Sequence, residues 1–351
     1  MSICQFLIGW VGGMGWPPCG RVMTHWFSVR ERGTKMSIWN VAHNIGGAAL
    51  GPITSFGFSL FVTLGYSKLA SAQFGFFFLP AMIAILIAII SYMLIRDNPQ
   101  SCGLPTIEEH RNDYPVNYSK KQEEVLSTKE IFFKYVFTNK ILWFVAFANV
   151  FVYMIRYGVL DWAPTYLQDI KGYNIKESGW AYAYYELAAI PGTLICGWMS
   201  DKIFKGKRGL TNVIFMVLTT TAVLVYWKNG QGGLVDSITG IFTTNHQFID
   251  NLALITIGFF IYGPIMLIGV QALDLSPKNA AGTSAGLTGF FGYFFGTAIL
   301  ANSLLGYLIQ VDKSWEAYFM ALMAGCIIAI LLMLFVANKE RKLAQEAAQH
   351  K

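Results

Sequence analysis

An arginine placed in the middle of an apolar helix is the residue of this sequence with the clearest chemical capacity. Arg156 follows about four turns of apolar residues that begin at Ile141, and it precedes the stretch Val159–Tyr166. Placing a guanidinium in hydrocarbon costs about 3 kcal/mol even on insertion scales, so such a residue marks a functional position. Asn149, Tyr153 and Arg156 are spaced by four and three and therefore share one helical face. That face offers an amide, a phenol and a guanidinium, groups suited to a phosphate or carboxylate. The planar fork of arginine reads an oxyanion through two bonds, where lysine supplies a point charge. The competing reading is a structural ion pair, for which Asp161 and Glu186 are the obvious carboxylates. The two readings can also alternate between states.

His43 lies two turns into another apolar run, in Trp39-Asn40-Val41-Ala42-His43-Asn44-Ile45-Gly46-Gly47, with Asn40 and Gly47 on its face. An imidazole with a pKa of about 6.5 suits a phosphate ester whose second pKa is about 6. Packing between helices, with a bond to a carbonyl, is the equal alternative. Tyr262 and Tyr293 sit in glycine-rich contexts and either line a cavity or anchor at an interface. Asp161 and Glu186 either neutralise Arg156 in an empty site or face solvent near helix ends. Asp201, within Gly197-Trp198-Met199-Ser200-Asp201-Lys202, and Arg208 after it fit a charge latch that breaks as helices rock. The plainer alternative is a short basic loop.

The elements that must position these residues follow from composition. The 351 residues are 54% hydrophobic and only 13% charged, against roughly 25% charged in a soluble domain. The mean hydropathy is +0.46, and the apolar residues fall in blocks near the roughly 20 needed to cross a bilayer. About nine transmembrane helices are expected, near 2–21, 36–64, 74–95, 141–166, 180–199, 210–227, 251–275, 281–309 and 317–336. With these spans, twenty of the 26 basic residues fall on one side and five on the other, with Arg156 inside. Such a bias marks the cytoplasmic side. The net charge of +6 is thereby topogenic and gives no reason to expect a nucleic-acid partner.

Residues 1–95 hold three spans, 96–140 read as a cytoplasmic linker with a short surface helix near Lys129–Val136, 141–337 hold six spans, and 338–351 form a basic tail. The second and eighth spans repeat faintly, Gly33-Thr34 aligning with Gly282-Thr283, Ser37 with Gly286 and Gly47 with Gly296. Related halves are a mark of transporters. Two six-helix halves would leave three helices missing before Met1. The five cysteines lack C-x-x-C spacing, so neither disulfides nor a zinc site are expected. There is no Walker-type glycine loop, nucleophile elbow or metal-spaced cluster, so the chain reads as a non-enzyme without cofactor, and any transport as secondary.

At this point several motifs resemble one family. Gly15-Trp16-Pro17-Pro18-Cys19-Gly20-Arg21, His25-Trp26, Glu31-Arg32-Gly33, Ala42–Gly47, Phe151–Leu167 and Asn279–Tyr293 resemble the organophosphate:phosphate antiporters of the major facilitator superfamily. Within that family the forms are most like those of members handling glycerol 3-phosphate, with hexose-phosphate members varying at these positions. The resemblance implies an all-α membrane protein with a major facilitator fold lacking its first three helices. It implies exchange of glycerol 3-phosphate for inorganic phosphate across the inner membrane, by rocker-switch motion of a monomer. It makes Arg156 a phosphate ligand and His43 the titrating residue of the site. Tyr153, Tyr262 and Tyr293 become cavity tyrosines, and Asn40 and Trp16 complete the expected substrate set. The family's second arginine would lie on the missing first helix, so this chain alone is expected to be an inactive fragment. The external loop 230–250 departs from the family pattern in being longer than usual.

Overall fold

The computed structural model describes residues 15–113, 127–229 and 246–349, and all regular structure among them is helical. Local capping chemistry sets several starts. Pro17 and Pro18 open α1 (Trp16–Trp26), where their missing amide hydrogens would go unused. Asn139 accepts a bond from the Leu142 amide at 3.2 Å and starts α6 (Lys140–Asp169). Asn174 and Glu177 cap each other's backbone reciprocally at the start of α7 (Ile175–Trp198). Between α1 and α6 lie α2 (Val29–Thr63), α3 (Lys68–Leu94), the short α4 (Ile107–Arg111) and α5 (128–137). After α7 come α8 (Arg208–Lys228), α9 (His246–Asp274), α10 (Lys278–Gln310) and α11 (Trp315–Gln349).

Six of these helices are long and apolar enough to span a bilayer: α3, α6, α8, α9, α10 and α11 up to Lys342. The expected spans at 36–64 and 180–199 exist as α2 and α7, and the polar residues of α7, Glu186 among them, keep its mean hydropathy below that of the six. The expected first span lies largely outside the described residues. The tail expected from 338 continues α11 without a break as far as Gln349.

Helices α6 to α11 form one bundle. Its core joins Val152 and Ile155 of α6, Tyr185 and Ala189 of α7, Ile257 and Ile261 of α9, and Phe319 and Leu322 of α11, all at most 1% exposed. Lipid offers no hydrophobic drive between helices, so close backbone approach and buried polar bonds must hold them. At the bundle end beyond α6, buried Asp250 accepts from Tyr173 (2.9 Å) and Asn229 (2.8 Å) and pairs with Lys171 (3.3 Å). Burial and this carboxylate push the Tyr173 phenol above its ordinary value. α2 and α3 pack through Gly75, whose Cβ position lies 2.5 Å from the Phe58 amide. The outer face of α3 (Met82, Ile85, Leu86, Ile89) is more than half exposed, as a lipid-facing helix requires. The two helices of the faint repeat both meet the opposite half: α2 lies on α7, and the first turns of α10 lie on α1.

Candidate functional site

Between α1 and α2 on one side and α6, α9 and α10 on the other lies a cavity of about 150 Å³. Its lining includes Trp16, Asn40, His43, Tyr153, Arg156, Tyr262 and Tyr293, together with Asn149. The structure thus brings all seven expected substrate residues, contributed by five helices, around one space. Trp16 and Trp39 pack with ring centroids 5.1 Å apart at its floor. Asn149 donates to the Thr288 carbonyl at 2.7 Å, tying α6 to α10, and leaves its own carbonyl oxygen without a partner. Tyr153 and Tyr293 meet edge to face at 5.0 Å. Gly292 permits this approach, because a Cβ there would lie 2.7 Å from the Asn149 amide nitrogen.

Arg156 is 5% exposed. Its guanidinium carbon lies 4.6 Å from the Tyr157 ring centre and 4.4 Å from that of Tyr262. One Nη donates to the Tyr262 hydroxyl at 3.0 Å, and that hydroxyl donates to Glu186 Oε1 at 2.6 Å. Tyr185 donates to the Arg156 backbone carbonyl at 3.3 Å. Among the described residues no carboxylate oxygen lies within 4.0 Å of the guanidinium. Its Nε is buried and has no partner. The sequence left a direct pair with Asp161 or Glu186 open. The structure instead routes Glu186 to Arg156 through a phenol and leaves Asp161 exposed on α6. Neither carboxylate, both expected to gate by ion pairing, forms such a pair among the described residues.

The side carrying the basic loops is closed by charge. Arg208 (1% exposed) pairs with Asp201, bonds Ser200 Oγ at 2.9 Å and the Val29 carbonyl at 2.7 Å, and reaches Asp274 at 3.2 Å. Asp201 accepts from the Thr34 amide (2.5 Å) and hydroxyl (2.7 Å), and Arg32 pairs with Asp274. The expected Asp201–Arg208 latch is therefore half of a network that fastens the start of α2 to α7, α8 and α9. Gly33 and Gly197 let these backbones meet, the Gly197 Cβ position lying 2.6 Å from the Gly33 carbonyl. The linker helix α4 adds Glu108–Lys278 (2.5 Å) toward the bundle and Arg111–Glu31 (3.6 Å) toward α2. Breaking a buried pair leaves the partner's charge uncompensated. Arg208→Ala is expected to cost about 3–5 kcal/mol of stability, read as a lowered thermal unfolding midpoint in detergent. An unchanged midpoint would mean that water already screens these charges.

A profile of the Major Facilitator Superfamily matches residues 1–301. The chain belongs to the major facilitator superfamily. A glycerol-3-phosphate transporter of Bacillus subtilis (strain 168) is 53% identical over 343 residues, which are 97% of this chain and 72% of that protein. One from Haemophilus influenzae is 51% identical over 348 residues, with the same coverage of 97% and 72%. A membrane sensor protein, UhpC, of Escherichia coli (strain K12) is 34% identical over 348 residues, again 97% and 72%. These relatives place this major facilitator chain in the organophosphate:phosphate antiporter family that its motifs resembled. A solved proton:xylose symporter shares the fold at a TM-score of 0.59 and 12% identity, over 90% of this chain and 66% of that one, just under two thirds of its length.

Several residues of this major facilitator site were not singled out from the sequence. Trp39 stands one turn before His43, a spacing that placed it on the cavity face. Ile265, Met266 and Gly269 of α9 and Thr288 and Gly289 of α10 also line the cavity. Tyr157 and Tyr185 hold Arg156 from outside it. Arg32 and Asp274 joined the latch without any local signal, their partners lying 242 positions apart in sequence.

Proposed function

We propose that the cavity binds a small phosphate monoester on Arg156. On this reading the chain belongs to a secondary transporter that exchanges glycerol 3-phosphate for inorganic phosphate by alternating access. The observation that carries it is the state of Arg156, buried with, among the described residues, an unpartnered Nε and no carboxylate within 4.0 Å. A buried charge needs a counter-charge, and an oxyanion entering the cavity supplies it through two parallel bonds. The names carried by relatives at 53% and 51% identity support glycerol 3-phosphate over the hexose phosphates of transporters at 40%. The membrane sensor at 34% and the probable hexose phosphate transport protein at 40% support a second reading, a membrane sensor or transporter of hexose phosphates.

The chain on this view is a multi-pass monomer of the cell inner membrane. Its linker and C-terminus lie on the cytoplasmic side, supported by the excess of basic residues there. Titration of the purified chain with glycerol 3-phosphate, inorganic phosphate and glucose 6-phosphate tests the site. Glycerol 3-phosphate and phosphate are expected to compete for one site, with glucose 6-phosphate weaker. Tighter glucose 6-phosphate binding, or no competition by phosphate, would overturn the assignment. Counterflow of labelled phosphate in vesicles tests the exchange.

Tyr262→Phe removes the hydroxyl that separates Glu186 from Arg156. Glu186 then becomes free to claim the guanidinium directly and compete with the ligand. Hydrogen bonds to charged groups are worth about 1.5–3 kcal/mol, so affinity for glycerol 3-phosphate is expected to fall about tenfold or more. Equilibrium binding checks this. Glu186→Gln added to Tyr262→Phe should restore part of the loss, and no restoration would remove Glu186 from the account.

A further inference from the structure

The helix α5 (128–137) precedes the span α6 and takes no part in the cavity or the charge network. Its start is capped reciprocally. Ser127 Oγ accepts from the Glu130 amide at 3.2 Å, and Glu130 accepts from the Ser127 hydroxyl at 3.1 Å. One face is fastened to the bundle. Val136 is 1% exposed against Leu142 and Ala272, Asn139 donates to the Leu275 carbonyl at 3.1 Å, and Trp143 Nε1 donates to the Phe137 carbonyl at 2.9 Å. The helix is therefore held in place, and what it presents outward is a fixed surface.

That surface is aromatic and basic. From Ile131 to Phe137 the turns are π-helical, with bonds from residue i to i+5. The wider turn sets Phe132 and Phe137 one above the other, with ring centroids 5.8 Å apart, and keeps Phe133 beside them at 5.6 Å from Phe132. These three rings are 42%, 57% and 51% exposed. From Phe137 the rings continue through Trp143 (5.2 Å) to Phe291 (5.6 Å) and Phe147, whose 46% exposure lies on the outer face of the span α6. The exposed patch is thus continuous with the lipid-facing surface of the bundle. Lys129 and Lys134 on the helix and Lys140 at the start of α6 are exposed around it. Glu130 is the one acidic residue of 127–140, and it is engaged by Ser127.

We infer that α5 lies in the bilayer interface of the basic-loop leaflet, with Phe132, Phe133 and Phe137 among the acyl chains and Lys129 and Lys134 on anionic phospholipid headgroups. Rings at the depth of the headgroup boundary with lysines beside them match an interfacial amphipathic helix. Charge complementarity selects phosphatidylglycerol-type lipids over zwitterionic ones. In this position α5 anchors the end of the linker and holds α6, and with it Arg156, at a defined depth.

Two measurements on the full chain test this. A nitroxide at position 133, introduced as Phe133→Cys together with Cys102→Ser, is read in lipid vesicles against the Cys102→Ser parent. It is expected to be reached by oxygen and shielded from a water-soluble nickel chelate, while a label on exposed Cys102 of the otherwise native chain is reached by the chelate. Equal chelate access at 133 and 102 would overturn the interfacial placement. Native mass spectrometry after partial delipidation then counts retained lipid. Lys129→Gln with Lys134→Gln is expected to reduce phosphatidylglycerol adducts about fivefold or more and to leave phosphatidylcholine adducts unchanged. Equal retention of phosphatidylglycerol by the native and substituted chains would overturn the headgroup assignment.

Discussion

Arg156→Lys is expected to lower the affinity of the purified chain for glycerol 3-phosphate by about 100-fold or more, although the charge is retained. An oxyanion on arginine takes two parallel charge-assisted bonds. The guanidinium is already oriented for this, its plane held beside the Tyr157 and Tyr262 rings and one Nη spent on the Tyr262 hydroxyl. The unpartnered Nε is a directional donor that lysine lacks. An ammonium at the same depth loses the stacking with both rings and offers no second parallel bond. With hydrogen bonds to charged groups worth about 1.5–3 kcal/mol each, losing one bond and the alignment of the other exceeds about 2.8 kcal/mol, or 100-fold. Equilibrium binding measures it, and an unshifted unfolding midpoint shows that the loss does not come from misfolding. Native affinity in Arg156→Lys would reduce the arginine to a structural cation bridged to Glu186.

How far the sequence reached this site depends on how local each feature is. The face of Asn149, Tyr153 and Arg156 follows from helical spacing alone, because four turns of apolar helix precede the arginine without interruption. That His43, Trp16 and Tyr262 come to the same cavity does not follow from spacing. It rests on the family resemblance, since several helices must first pack. The phenol between Arg156 and Glu186 was out of reach for the same reason. A carboxylate and a guanidinium suggest an ion pair on charge alone, and only the packing of α9 between them decides otherwise. Hydropathy found α2, α6 and α11 readily but undervalues α7, which turns Tyr185 and Glu186 toward the arginine and its phenol. The aromatic face of α5 was hidden by its turn, since an α-helical reading puts Phe132 and Phe137 apart and buried Val136 beside Phe132.

Gly192→Leu is expected to produce the largest loss of stability of any substitution outside the charge network. α7 and α9 touch backbone to backbone at two points, two turns apart on α7 and at adjacent residues of α9. A Cβ on Gly192 would lie 1.9 Å from the Phe259 carbonyl oxygen, and one on Gly258 would lie 2.2 Å from that of Tyr185. The obstacle in both cases is main chain, which cannot swing aside as a side chain does, so the helices must separate. Overpacking usually costs about 1–3 kcal/mol. Here the cost is expected at the upper end or beyond it, because separation also strips contacts along the rest of the pair. The consequence reaches the site. Glu186 stands on α7 one residue from Tyr185, and Tyr262 stands on α9 one turn from Gly258. The glycine contacts thereby set the 2.6 Å bond between them. Gly192→Leu should lower both the unfolding midpoint and the affinity for glycerol 3-phosphate. Gly179→Ala on the same helix, with nothing within 4 Å of its Cβ position, should leave affinity unchanged and gain up to about 1 kcal/mol from helix propensity. If Gly192→Leu matched Gly179→Ala in both measurements, α7 and α9 would be free to separate without cost. The geometry around Arg156 would then have to be held by α6 and α9 alone.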